Sequence, residues 1–135
     1  MPPLKPPVDL STFRALDIRV GTVLEAGLLE GTRKPFLALE VEFGEGVGTL
    51  KSAAQLTRRY DGGSLAGRSV LAVVNLPPLH LPGFTSQCLV LGLVNPHDPG
   101  DVVLVAPDGR AANAGGADAG EASGATAPEP GWPLG

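Results

Sequence analysis

Short apolar segments separated by glycine and proline dominate this sequence of 135 residues. The segments are rich in β-branched side chains and only a few residues long, which is typical of strands and not of helices. Gly21 inside the first segment predicts a bulge or a sharp bend. Many short strands with glycine and proline turns fold as a small all-β barrel or sandwich. The predicted strands are residues 18–25, 36–43, 47–52, 69–75, 88–94 and 102–106.

Two short helical segments are predicted between these strands. Ser11 and Thr12 precede residues 13–16 and predict a capped helical turn. Residues 53–60 are compatible with a helix that ends at Gly62 and Gly63. Five core strands with a helical segment after the third favour an all-β OB fold, a five-stranded barrel with short helices and terminal extensions.

The composition divides the chain into three parts. Residues 1–10 are rich in proline and predict an extended N-terminal arm. Residues 11–110 hold the OB-fold domain. Residues 111–135 consist mostly of alanine, glycine and proline, and such a segment buries too little apolar area to offset the entropy of ordering it. The sequence therefore predicts a flexible tail with a solvated Trp132.

Charge and cysteine content exclude several classes of protein. The net charge is -4 and the isoelectric point is about 5.0, so a field that attracts nucleic acid over the whole surface is excluded. Adjacent cations at 33–34 and 58–59 still allow a local basic face. The single cysteine, Cys88, excludes an internal disulfide and is expected to be a buried thiol. Without a long apolar run or an apolar signal segment, we expect no membrane insertion and a cytoplasmic location.

No arrangement of residues predicts catalysis, a metal site or a cofactor. His80 and His97 are the only histidines, and they lack the spacing of metal ligands. The glycines at 44–48 match no phosphate-binding loop and indicate a hairpin turn. We therefore expect a protein that is not an enzyme, binds no cofactor and holds no metal.

Four segments together resemble one family. They read FRALDIRVGTV (13–23), KSAAQLT (51–57), VVNLPP (73–78) and GFTSQCLVLG (83–92). They are similar to the bacterial tRNA-binding domain, which also occurs at the C-terminus of methionyl-tRNA synthetases. The combination is most similar to the branch of CsaA secretion chaperones, and it covers nearly all of residues 11–107.

The resemblance implies an OB fold of the tRNA-binding type, a homodimer and no catalysis. For the CsaA branch it implies binding of unfolded or exported polypeptides, with tRNA as the alternative partner. The tRNA-binding branch tends to carry basic residues after the Asn-Leu-x-Pro turn, whereas this chain has apolar residues at 79–82. That departure favours a polypeptide partner.

Two sets of candidate site residues follow from these alternatives. Leucines in the proline-stiffened loop at 76–82 are expected to remain outside regular structure, as a binding surface or a dimer interface. The peptide-binding candidates are Phe36, Ser52, Gln55, Leu76, Leu79, Leu81, Phe84, Ser86 and Gln87. Cations that track a phosphate backbone are the RNA-binding candidates: Arg33, Lys34, Lys51, Arg58 and Arg59. Each candidate also has a structural alternative. Phe36 could pack in the core, and the polar side chains could hold loops by hydrogen bonds. Arg58 and Arg59 could lie at a solvated helix end.

Overall fold

The computed structural model describes residues 1–109 and 127–135, and these residues contain two short helices and nine strands. The helices are α1 (Leu10–Arg14) and α2 (Gly62–Leu65). The strands are β1 (Ile18–Leu29), β2 (Phe36–Glu42), β3 (Thr49–Ala54), β4 (Ser69–Val73), β5 (Leu79–Leu81), β6 (Phe84–Ser86), β7 (Leu89–Val90), β8 (Gly92–Val94) and β9 (Val102–Leu104). None of the helices in these two ranges is long and apolar enough to cross a membrane.

Five strands form one antiparallel sheet in the order β3-β2-β1-β4-β7. The first half of β1 pairs with β4 and its second half pairs with β2, so one long strand serves both halves of the sheet. The sheet curls into a half-barrel around buried side chains such as Val23, Leu39, Val41 and Phe43. This architecture, with α2 after the third strand, confirms the prediction of a mostly β, OB-like fold.

The predicted bulge is displaced from Gly21. The register between β1 and β2 shifts between Val23 and Glu25, which places the irregularity at Leu24. A Cβ atom on Gly21 would instead lie 2.5 Å from Val41 Cγ1 and 2.7 Å from a ring carbon of Phe43. Gly21 therefore leaves room for the core side chains, and the irregularity of β1 lies three residues later, at Leu24.

Side chains join β3 to the segment that precedes β7. The main-chain N–H of Gln87 donates to the Lys51 carbonyl at 2.7 Å. The Gln87 side chain adds a second bond, in which Oε1 accepts from the main-chain N–H of Lys51 at 2.9 Å. The hydroxyls of Ser52 and Ser86 both donate to the Cys88 carbonyl, at 3.0 and 3.2 Å. We call these contacts the barrel seam, because they connect the two ends of the curled sheet. Burial at the seam raises the pKa of the Cys88 thiol to about 11.

The helix predicted over residues 53–60 is wrong. Residues 53–54 complete β3, and the chain then passes through a turn before α2 begins. Asp61 caps α2, since its Oδ1 accepts from the Ser64 amide at 2.8 Å, and Gly62 and Gly63 begin the helix that they were expected to end. Local sequence favours a cap at Asp61 as much as a stop at the glycines, and packing decides between them.

The other helical prediction, over residues 13–16, overlaps α1 but begins three residues too late and has the wrong cap. Helix α1 begins directly after Asp9, so Ser11 lies inside the helix and does not cap it. The turn after α1 is held by Asn75, whose Oδ1 accepts from the Asp17 amide and whose Nδ2 donates to the Ala15 carbonyl, both at 2.8 Å. These bonds fix the end of β4 against the beginning of β1.

Residues 79–86 form a hairpin, so the expectation that this leucine-rich segment stays irregular is wrong. Leu79 pairs with Ser86 and Leu81 pairs with Phe84. The two-residue turn contains Pro82 and a glycine with a φ of 69°, so the proline lies outside the strand pairs that it would have disrupted.

The last residues of the chain pair with the beginning of β1. The Gly131 amide donates to the Val20 carbonyl at 2.8 Å, the Val20 amide donates to the Trp132 carbonyl at 3.1 Å, and the Leu134 amide donates to the Ile18 carbonyl at 2.8 Å. We call residues 131–134 the C-terminal strap. The flexible tail expected over 111–135 falls largely outside the described residues, but its final part is bound to β1.

Candidate binding site

An open apolar groove of about 450 Å³ lies beside the β5–β6 hairpin. Leu79 of β5 is 56% exposed, Leu89 of β7 is 50% exposed and Val94 of β8 is 56% exposed. Gln55, at the end of β3, contributes a polar side chain to the same wall. Such a groove can bind an apolar side chain while leaving polar groups for a ligand's main chain.

A second opening, of about 530 Å³, lies next to the apolar groove and shares Phe36 with it. Arg33 and Lys34 line this opening together with Leu81 of the hairpin. The Thr32 hydroxyl donates to the Lys34 carbonyl at 2.6 Å and holds the turn that carries both cations. We call this opening the basic pocket. It places an aromatic ring beside two cations, which is an arrangement that can bind phosphate and stack a base.

A third opening, of about 300 Å³, is lined by Arg58 and connects the two, since it shares Lys34 with the basic pocket and Gln55 with the groove. Seven of the predicted residues therefore surround one continuous surface on this side of the barrel, although the sequence assigned them to two different ligands. They are Arg33, Lys34, Phe36, Gln55, Arg58, Leu79 and Leu81.

The cations at 58 and 59 are engaged within the protein. Arg58 forms an ion pair with Asp98, and Arg59 forms a two-bond ion pair with Asp101. The Arg59 guanidinium, with a further bond from Asn95, holds the pKa of the Asp101 carboxyl well below its usual range. The paired carboxylates reduce the positive charge that either arginine can offer to a phosphate.

Lys51 lies in a different environment from the other predicted cations. It faces Glu40 across the β2–β3 pair, and Glu40 in turn faces Glu25 across the β1–β2 pair. These three side chains and Phe84 line a separate opening of about 300 Å³. With two carboxylates in its row, Lys51 does not create a positive surface.

The remaining predicted residues lie away from the groove. Ser52 and Ser86 are buried, and their hydroxyls are used in the barrel seam, so their positions do not support a contact with a ligand's main chain. The Gln87 side chain is also committed to the seam. Leu76 is 38% exposed, but it is not among the residues that line the groove.

Sequence reasoning missed the apolar residues that β7 and β8 add to the groove. Residues 88–94 were predicted as one strand, but the run divides into two strands in which Leu89, Leu93 and Val94 are exposed. The sequence feature that could have revealed this surface is the unbroken apolar run, because a strand with apolar side chains on both faces needs cover on both. In the described residues one face has no such cover.

The described residues contain no group of three or more histidine, cysteine, aspartate or glutamate side chains that could hold a metal ion. The openings of the site are lined by apolar side chains, a few polar side chains and a small number of cations. Such a set of groups is suited to binding a chain-like ligand.

Comparison with known proteins supports the assignment of the fold. A family described as "Putative tRNA binding domain" matches residues 18–115. A methionine–tRNA ligase of Methanothrix thermoacetophila is 39% identical over 105 residues, which make up 77% of this chain and 14% of the ligase. The chain thus spans about one seventh of that relative's length.

Two solved structures are similar over nearly the whole chain. The chaperone CsaA of Bacillus anthracis has 35% identity and a TM-score of 0.78, and covers 96% of this chain and 100% of its own. The CsaA chaperone of Picrophilus torridus has 29% identity and a TM-score of 0.75, with the same coverage. On the family match and these relatives, the chain belongs to the tRNA-binding domain family and is structurally similar to the CsaA chaperones.

Proposed function

We propose that this protein is a non-catalytic binding protein that holds unfolded or preprotein polypeptide segments in the cytoplasm. The observation that carries the proposal is the apolar groove, where Leu79, Leu89 and Val94 are each about half exposed. Exposed apolar side chains that cluster in one groove are unfavourable in water and mark a surface that contacts another chain. The similarity to proteins described as CsaA chaperones supports the same conclusion.

The electrostatics of the surface favour a polypeptide over a nucleic acid. Arg58 and Arg59 are paired with aspartates, and Lys51 faces a row of glutamates. A nucleic acid needs several unpaired cations along its backbone, whereas an unfolded polypeptide needs an apolar surface with a few polar partners.

We further propose that two copies associate through the exposed face of β8. Leu93 is 65% exposed, and because successive side chains of a strand point to opposite faces, it lies on the face opposite Val94, which lines the groove. A two-fold axis would cover this face in both copies. A dimer would also present two grooves, which increases avidity for a long polypeptide without any new contact.

Binding of tRNA is the second candidate function, and the basic pocket favours it. Arg33 and Lys34 are exposed, and within residues 1–109 and 127–135 neither forms an ion pair. Phe36 lies beside them and can stack on a base. With two free cations, tRNA affinity should fall about tenfold between roughly 50 and 200 mM salt.

The two functions are separated by anisotropy titrations with a labelled unfolded protein and with bulk tRNA at both salt concentrations. A reduced and carboxymethylated protein is the polypeptide probe, since it cannot refold. We expect it to bind with little dependence on salt. Tight, salt-sensitive binding of tRNA without binding of the unfolded protein would reject the polypeptide function.

Matched substitutions then locate each ligand. Leu79→Asp places a charge in the groove and should weaken polypeptide binding about tenfold or more. Leu24→Asp is the control, since Leu24 is 47% exposed and does not line the groove. Sedimentation of both variants shows whether Leu79→Asp acts on the groove or on the dimer. Equal small effects on binding would reject the groove as the site.

For tRNA, the structure favours the basic pocket over the Lys51 position. Lys34→Ala should weaken tRNA binding more than Lys51→Ala, because two glutamates lie in the row of Lys51. Lys5→Ala, in the exposed N-terminal segment, is the control for a general loss of charge. A larger effect of Lys51→Ala would place the RNA surface on β3.

A further inference from the structure

The C-terminal strap is attached to β1 by main-chain hydrogen bonds. Three such bonds join residues 131–134 to the carbonyls of Ile18 and Val20 and to the Val20 amide, at 2.8 to 3.1 Å. The side chains of the strap are only about half covered, since Trp132 is 47% exposed and Leu134 is 48% exposed. The hydrogen bonds that hold the strap are those of an extended backbone, and they require no particular side chain.

The β1 groups that the strap occupies form a short strand edge. On its other side the same stretch of β1 pairs with β4, where Ile18 faces Val73 and Val20 faces Leu71. The strap thus completes the sheet in the way that an added strand does. An edge that binds through its main chain accepts extended segments of many sequences.

The strap enters this edge through a turn that depends on one glycine. Gly131 has a φ of 98°, and a Cβ atom on it would collide with the Phe43 carbonyl oxygen. The Trp132 amide closes the turn by donating to the Glu129 carbonyl at 3.2 Å. Glycine is needed at 131 because the strap is joined through this turn to the chain before it. A separate extended segment that pairs with Ile18 and Val20 has no such turn and needs no glycine there.

We propose that the β1 edge at Ile18–Val20 is a strand-addition site for an extended segment of an unfolded polypeptide, and that the C-terminal strap occupies this site until the polypeptide displaces it. The proposal rests on the proposed function, since the ligand is the same class of polypeptide. It adds a main-chain site to the apolar groove. A site that reads the backbone fits a protein whose ligands share no sequence.

Trp132 reports directly on the strap because it is the only tryptophan of the chain. The probe is reduced and carboxymethylated ribonuclease A, which is unfolded and contains no tryptophan. Adding it to the wild-type protein should shift Trp132 emission to longer wavelength, as the half-exposed indole becomes fully solvated. An unchanged emission, or a shift to shorter wavelength, at saturating probe would overturn the proposal.

A matched pair of glycine substitutions supplies an independent test. Gly131→Ala should release the strap, whereas Gly135→Ala should leave it bound, because a Cβ on Gly135 meets no atom within 4 Å. If the strap occupies the edge in about nine molecules of ten, its release should raise the apparent affinity for the probe about tenfold. Gly135→Ala should bind like the wild type. The wild-type emission measurement decides the question even if the strap of Gly131→Ala stays bound.

The outcomes separate this inference from the proposed function. A probe that binds the wild type with the same affinity as Gly131→Ala, although the strap is released in the variant, would overturn the strand-addition site and leave the groove intact. Loss of that binding in Leu79→Asp would then assign the ligand to the groove alone. Absence of binding in the wild type and in both glycine variants would overturn the proposed function together with the inference.

Discussion

The Gly21→Ala substitution tests the packing of β1 against the core. The added methyl group would lie 2.5 Å from Val41 Cγ1 and 2.7 Å from the Phe43 ring, and both of those side chains are fully buried. Overpacking of this kind costs about 1–3 kcal/mol. Replacing glycine also reduces the entropy of the unfolded chain, which offsets about 0.5–1 kcal/mol. We expect Gly21→Ala to lower the free energy of unfolding by about 1–2 kcal/mol.

Gly27→Ala is the matched control in the same strand. A Cβ atom on Gly27 meets no heavy atom within 4 Å, so only the entropic gain remains and the variant should be about 0.5–1 kcal/mol more stable than the wild type. Urea denaturation followed by far-ultraviolet circular dichroism measures both changes. With an m-value of about 2 kcal/mol/M, the two midpoints should differ by about 1 M.

The reasoning would be refuted if the two variants had the same midpoint, or if Gly21→Ala were the more stable. Either result would show that Val41 and Phe43 can move aside without loss. The presence of glycine at position 21 would then have a cause other than the close packing of Val41 and Phe43 against β1.

Three further predictions concern the seam and the ion pairs. Ser86→Ala should cost about 1–3 kcal/mol in urea denaturation, because Ser86 Oγ accepts from the Ala53 amide at 3.0 Å and that amide would lose its partner; an unchanged midpoint would show that water replaces the hydroxyl. Cys88 should react with iodoacetamide at pH 8 about 100-fold more slowly in the native protein than in denaturant, since its pKa is raised to about 11, and equal rates would contradict its burial. The Asp101 pKa is lowered by Arg59, so the carboxylate stabilises the fold above its ordinary pKa of about 4 and this contribution is lost as the pH falls through the lower folded value. Asp101→Asn should therefore flatten the dependence of the melting temperature on pH below 4, and an unchanged slope would refute the pair.

The sequence predicted the strands of the sheet because their periodicity is local. Residues 36–42 alternate between buried and half-buried side chains, which is the pattern that their sequence indicates. The hairpin at 79–86 was not predicted, because the prolines at 77, 78 and 82 disfavour strand pairing when only the local sequence is considered. One of them, Pro82, lies in the turn, where proline does not interrupt strand pairing.

The site was harder to predict because it depends on contacts between distant residues. The seam between Ser52 and Cys88 joins positions 36 apart in sequence, and only this contact shows that the Ser52 hydroxyl is unavailable to a ligand. Arg59 and Asp101 are 42 positions apart in sequence, and only their pairing shows that this exposed arginine is already engaged by a carboxylate. Residue type identified the candidate groups, but only the fold shows which of them still lack a partner.

The strap also determines how the sheet ends. Pro133 lies opposite Arg19, so its nitrogen is on the outer side of the strap, where an ordinary residue would present an N–H group. A foreign strand that aligned there would lack a donor at the centre of the contact. The fold therefore discourages amyloid-like stacking of one molecule on the next at this position, with no charged gatekeeper needed.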